Sequence, residues 1–170
     1  QDADAFANKA GDERLIFVQG NFRYLRNYLR YHGYGKVDGI LADLGVSSHH
    51  FDAQERGFSF RFDASLDMRM NQKSTLTAAQ VLNEYSADDL KKIFRLYGEI
   101  KNAGRLVHAI VNHRESSTIN TINQFKAVLE PVLPVKAQAK YLAKVFQALR
   151  IEVNQEMEAL KEMLEQTPDV

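Results

Sequence analysis

The stretch Asp38-Gly39-Ile40-Leu41-Ala42-Asp43-Leu44-Gly45-Val46-Ser47-Ser48 decides the fold class. A short apolar run closed by a carboxylate, a glycine and two serines is the pattern of a strand covered on both faces, as in a parallel sheet. Leu15-Ile16-Phe17-Val18, closed by Gly20-Asn21, repeats that pattern. Between the two runs Asn21 is placed to cap a helix whose apolar positions Phe22, Leu25 and Leu29 recur at helical spacing up to Gly33. Strand, helix and strand predict one unit of an α/β fold. Ligands of open parallel sheets bind beyond the carboxyl ends of the strands, which sets Asp43 and Phe22 at the ligand edge. Each also has a plainer role open to it. Asp43 would accept the turn amides of Val46 to Ser48, and Phe22 would pack in the core.

Working outward, regular periodicity lapses over residues 51–72. Within it, Glu55-Arg56-Gly57-Phe58-Ser59-Phe60-Arg61-Phe62-Asp63 sets three Phe and two Arg in nine residues. A long aromatic loop of this kind is usually functional. Arg56 and Arg61 would contact phosphates while Phe58, Phe60 and Phe62 offer a stacking surface for an extruded base. The alternative is that the phenylalanines fasten the loop to a core and the arginines, with Arg69, pair with Asp63 and Asp67. Helix starts follow at Thr77, Ser86 and Thr121, each a hydroxyl cap three residues before Gln80, Asp89 or Gln124. The stripes Leu90, Ile93, Phe94; Leu106, Val107, Ile110; and Phe125, Val128, Leu129 predict an all-helical domain inserted after the first unit. Residues 137–166 read as one long amphipathic helix through Leu142, Val145, Phe146, Leu149, Val153, Leu160 and Leu164. The expected organisation is a partial core over 1–48, a loop and helical domain over 49–136, and a returning helix over 137–170. Arg23, Arg26 and Arg30 are expected on a solvated helix face.

Lys and Arg number 22 and so do Asp and Glu, so there is no global attraction for nucleic acid and any such binding needs a local patch. The absence of cysteine removes disulfides, thiolate metal sites and covalent cysteine chemistry from these residues. His32, His49, His50, His108 and His113 do not pair at ligand spacing on a helix face, so no metal centre is expected. No run of about 18 apolar residues occurs, and neither a membrane span nor a signal peptide is expected. A cytoplasmic protein is the simplest expectation.

The run DGILADLGVSSHHFDAQERGFSFRFDASLDMRMN from Asp38, with TAAQVLNEYS from Thr77, IFRLYGE from Ile93 and FQALRIEVNQE from Phe146, closely resembles the MraW/RsmH family. The resemblance extends over residues 1–165. It implies a Rossmann-like S-adenosylmethionine-dependent methyltransferase core with an inserted helical substrate-recognition domain that helps hold RNA. It further implies methylation of the exocyclic N4 of a cytosine in the decoding region of 16S ribosomal RNA, within the small ribosomal subunit. By the same resemblance Phe22 matches a position on the adenine side of the cofactor, and Asp43 matches a cofactor-contacting acid that could also accept amino protons in catalysis. A family Gln that follows Ser-Ser-Pro falls at His50, after Ser47-Ser48-His49. The Gly-rich GGGHS-type strand end of the family and its SFHSLEDR-type segment do not occur here, which makes the chain resemble an internal fragment, inactive alone. The competing expectation is a non-enzymatic helical module that binds RNA or protein. Open sheet edges would favour self-association as a homodimer.

Overall fold

The structure is a computed structural model that describes residues 14–45 and 56–170. The chain divides into two compact units, Gln1–Asp43 with Met157–Val170, and Leu44–Glu156. Among the described residues there are seven α-helices: α1 (Leu25–Tyr31), α2 (Ala78–Glu84), α3 (Ala87–Leu96), α4 (Ala103–Arg114), α5 (Ile122–Leu129), α6 (Gln138–Asn154) and α7 (Glu156–Gln166).

In the second unit the helix starts follow the sequence. Thr77 and Thr121 each accept a hydrogen bond from the backbone of the glutamine three residues on, whose side chain returns to the cap backbone, so α2 and α5 open with complete capping boxes. Ser86 Oγ accepts from the Asp89 N–H at 3.1 Å and opens α3. Each such cap stabilises by about 1 kcal/mol. The apolar stripes then converge: α3 packs on α4 and α6, α4 on α5, and α2 on α6. Leu82, Leu90, Phe94, Leu106, Ile110, Phe125 and Leu149 are fully buried between them. Burying side chains of this size contributes about 1.5–3 kcal/mol each, so the stripes hold one another in place.

The long helix expected over 137–166 is two helices. Gln155 adopts φ 50 and returns its N–H to the Glu152 and Ile151 carbonyls, a left-handed cap that ends α6, and α7 begins at the next residue. Leu142, Val145, Phe146, Leu149 and Val153 on α6 are buried in the second unit.

In the first unit Asn21 Oδ1 accepts from the Arg23 N–H at 3.0 Å and opens a 3-10 turn, Phe22–Tyr24, that leads into α1. The α/β expectation fails locally. Residues 15–18 and 37–42 form no strand, and β-pairing among the described residues is confined to an isolated antiparallel bridge between Ser65 and Thr121. A strand exists only as part of a ladder, and neither run has a neighbour in register here. Their side chains are accordingly open, with Leu41 100% exposed.

Arg23 and Arg26 do not form a solvated face either. Arg23 pairs with Glu162 and Arg26 with Asp169, each at 3.0 Å. The partners lie far away in sequence, where helical periodicity gives no sign of them. Gln166 completes this seam: its Oε1 accepts from the Arg26 N–H at 3.0 Å and its Nε2 donates to the Arg23 carbonyl at 2.6 Å. It supplies the cap that Tyr24 does not give α1. No helix of the described residues is long and apolar enough to cross a membrane.

Two glycines predict opposite outcomes in urea unfolding. A Cβ at Gly57, where φ is +72°, would meet the Ser65 carbonyl oxygen at 2.3 Å, so Gly57→Ala lowers the midpoint by more than about 1 kcal/mol equivalent. A Cβ at Gly104 in α4 meets nothing within 4 Å. Gly104→Ala therefore raises stability by about 0.5–1 kcal/mol.

Candidate functional site

The aromatic loop is held by bonds that its own sequence does not announce. Asn154, the last residue of α6, donates from Nδ2 to the Met68 carbonyl at 2.8 Å and accepts at Oδ1 from the Met70 N–H at 2.6 Å. Met68 is fully buried with φ 57, a left-handed conformation costly for a side chain of its length. Its N–H donates to the Arg56 carbonyl at 2.9 Å, so both sides of the strained residue are fixed. Arg56 Nη2 donates to the carbonyls of Arg69 and Met70, and its guanidinium lies 5.4 Å from the centre of the Phe58 ring. Phe58 is 6% exposed, and the Phe60 ring meets Phe146 edge-on at 5.6 Å.

The loop acids and arginines sort themselves accordingly. Asp67 takes two 2.7 Å bonds from the Arg69 guanidinium, and this bond holds its carboxyl below the usual carboxylate range against the opposing effect of burial. Asp63 Oδ1 accepts from the Asn123 N–H at 3.0 Å, at the start of α5. Arg61 is exposed, with its backbone N–H on Ser59 Oγ at 3.3 Å, and Phe62 is 47% exposed. The structure thus brings Arg56, Phe58 and Phe60 together as the fastening of the loop and leaves Arg61 and Phe62 at its surface.

Phe22 and Asp43 both belong to the first unit. Phe22 is the first residue of the 3-10 turn and is 37% exposed, so it is not core packing. Asp43 is exposed two residues before Gly45, whose φ is +121°. His50 lies outside the described residues, as do Ser47 and Ser48. No group of three or more His, Asp or Glu placed to hold a metal ion occurs among the described residues.

Sequence reasoning missed Asn154 and Glu152. Tyr85 Oη donates to Glu152 at 2.9 Å, and burial together with that bond pushes the phenol up to about 12. Residues 65–71, 77–86 and 146–156 therefore meet through polar side chains. The signal available was the FQALRIEVN run itself, where Glu152 and Asn154 are polar residues in an otherwise apolar turn of helix.

The sequence profile described as the MraW methylase family matches residues 1–170. The chain is 59% identical over 164 residues to the ribosomal RNA small subunit methyltransferase H of Bacteroides thetaiotaomicron, covering 96% of this chain and 54% of that protein. To the protein of the same name in Phocaeicola vulgatus it is 60% identical over 164 residues, again 96% of this chain and 54% of the relative. To that of Flavobacterium johnsoniae it is 54% identical over 170 residues, covering 100% of this chain and 56% of the relative. The chain spans about half the length of the curated relatives it matches.

Asn154→Leu keeps the side-chain volume and leaves the Met68 carbonyl and Met70 N–H without their partner, which costs about 1–3 kcal/mol. Hydrogen exchange at the Met70 amide should accelerate while amides of α3 and α4 keep their protection. A pH titration of stability reads the Asp67 pair. A carboxyl held low in the folded state contributes stability that is complete above its unfolded pKa and is lost as pH falls through the folded one. Asp67→Asn should flatten that acid limb and leave the neutral and alkaline range parallel to the parent.

Proposed function

The chain belongs to the MraW methylase family, and on that premise we propose that the protein containing it methylates the exocyclic N4 of a cytosine in the decoding region of 16S ribosomal RNA. The donor is S-adenosylmethionine and the substrate is the RNA within the small ribosomal subunit, in the cytoplasm. The observation that carries this reading is a family match running over residues 1–170, with relatives named for methylation of small-subunit ribosomal RNA.

On this reading residues 15–18 and 37–42 are strands of a Rossmann-like parallel sheet in the whole protein. Their exposed apolar side chains are consistent with that, because a buried parallel strand is apolar on both faces. Phe22 and Asp43 fit the cofactor by their chemistry. An exposed ring takes the face of a purine, and an exposed carboxylate accepts from hydroxyl or amino groups. S-adenosylmethionine, when bound, supplies a methyl carbon made electrophilic by its sulfonium. The chain's own task is alignment of the amino nitrogen and acceptance of its protons, since the N4 lone pair is delocalised into the ring until an acceptor draws on the N–H groups. Asp43 is the acceptor proposed for that second role. Arg61, with Phe62 beside it, is the loop residue proposed to meet RNA, while Arg56 acts by holding the loop.

A second reading takes residues 44–156 as a non-enzymatic module that binds RNA or protein. That unit has its own buried core, which favours a self-sufficient binding domain.

In the full-length protein, labelled methyl from S-adenosylmethionine should enter isolated small subunits and be recovered as N4-methylcytosine after nuclease digestion. Label recovered only at another nucleoside removes the N4 assignment, and no transfer with no cofactor binding favours the module. Asp43→Asn separates the two roles of the acid. Cofactor holding raises the dissociation constant and leaves turnover at saturation intact; proton acceptance lowers turnover by about 10²-fold or more at unchanged cofactor affinity. If neither changes, Asp43 is not part of the site.

A further inference from the structure

Several basic side chains of the described residues are already engaged. Arg23, Arg26, Arg69 and Arg150 pair with Glu162, Asp169, Asp67 and Glu156, and Arg114 donates to the carbonyls of Leu82 and Tyr85. Others line a cavity of about 550 Å³ in the second unit, between the start of α4, the segment after α5 and the first turns of α6. Lys101, Arg105 and Lys144 line it against a single carboxylate, Glu99. Glu99 is satisfied by Lys144 at 2.5 Å, and Lys144 with the neighbouring Lys140 holds its carboxyl below the usual range. Lys101 and Arg105 are exposed and have no acidic partner at ion-pair distance among the described residues.

The rest of the lining is of a different character. Tyr141 forms part of it, with Pro134 and Val135 at its open side, the last 96% exposed. Asn102 fixes these parts relative to each other: its Oδ1 accepts from Tyr141 Oη at 3.1 Å, and its Nδ2 donates to the Val132 carbonyl at 3.5 Å. One helix, α4, begins here after Asn102, and its start has no side-chain cap. Its positive end adds to the charge of the lysines and arginine.

We propose that this cavity docks a single-stranded segment of the RNA substrate, with Lys101 and Arg105 on successive phosphates and one base laid against Tyr141 and Val135. The inference rests on the RNA methyltransferase reading and adds to it a contact surface within the helical unit. Charge complementarity chooses the partner: an aromatic and apolar lining beside cationic side chains is the combination that takes a base and its phosphates together. The volume lies within the range of sites that enclose one small ligand. The net neutrality of the chain, 22 against 22, makes a local cationic excess the means by which it can hold a polyanion.

The test uses the full-length protein, a short single-stranded RNA from the decoding region and isolated small subunits, with affinity read by anisotropy across a salt series. Lys101→Gln and Arg105→Gln should each weaken binding and reduce the salt slope by about 0.7. Arg105→Lys should retain the slope. Tyr141→Leu should lower affinity about five-fold or more at an unchanged slope, because stacking is not ionic. Both charge variants change exposed side chains, and thermal melts confirm folding of all four. Should the parent bind cofactor and transfer methyl while both Gln variants keep its slope, the docking site is wrong and the function stands. Should the parent show no salt-dependent RNA binding, the function falls and the docking site with it. Loss of affinity for a ribosomal protein in the absence of RNA, with RNA binding unaffected, overturns the RNA assignment in favour of a protein contact.

Discussion

The carboxamide of Asn154 is the constraint on which the second unit's loop depends. One side chain at the end of α6 satisfies a carbonyl and an amide two residues apart on a segment with no ladder to hold it. That lets Met68 persist in a left-handed conformation in the core, at a strain of about 1–3 kcal/mol. With Met68 fixed, Arg56 is held from its carbonyl and can cross to the Arg69 and Met70 carbonyls. Phe58 and Phe60 then seat against the helices rather than facing outward. A substitution at Asn154 would be felt at positions that it never touches.

The helical unit was readable because its determinants are local. Thr77 and Gln80, or Thr121 and Gln124, state a helix start within four residues, and the stripe Leu90, Ile93, Phe94 states which face is buried. The end of α6 was not readable, since Gln155 carries no glycine's signature and the apolar period continues past it. The partners of Arg23 and Arg26 were not readable either, since Glu162, Gln166 and Asp169 are visible only in space, whereas Arg30 is exposed as expected. The strands present the opposite case. Composition identified apolar runs, but a strand is a property of two chains in register, and residues 15–18 and 37–42 meet no partner here.

Of the residues expected at the site, the structure divides the aromatic loop most clearly. Arg56, Phe58 and Phe60 serve the architecture, while Arg61 and Phe62 are open to a partner. The same economy of charge runs through the whole described chain. Cations near acids were drawn into pairs and caps, while Lys101 and Arg105 stay open beside the cavity where Asn102 ties Tyr141 to the turn after α5. Neutral overall composition therefore hides an uneven distribution that only folding reveals.

The cap that Gln166 provides for α1 has a consequence for biosynthesis. At translation rates of about 5–20 residues per second, the N–H of Arg26 waits roughly 7–28 seconds before its acceptor has been made. The helical unit, contiguous in sequence, suffers no such delay, and its core is complete once Glu156 has emerged. The nascent chain would therefore order its helical unit before α1 gains the cap that Gln166 supplies.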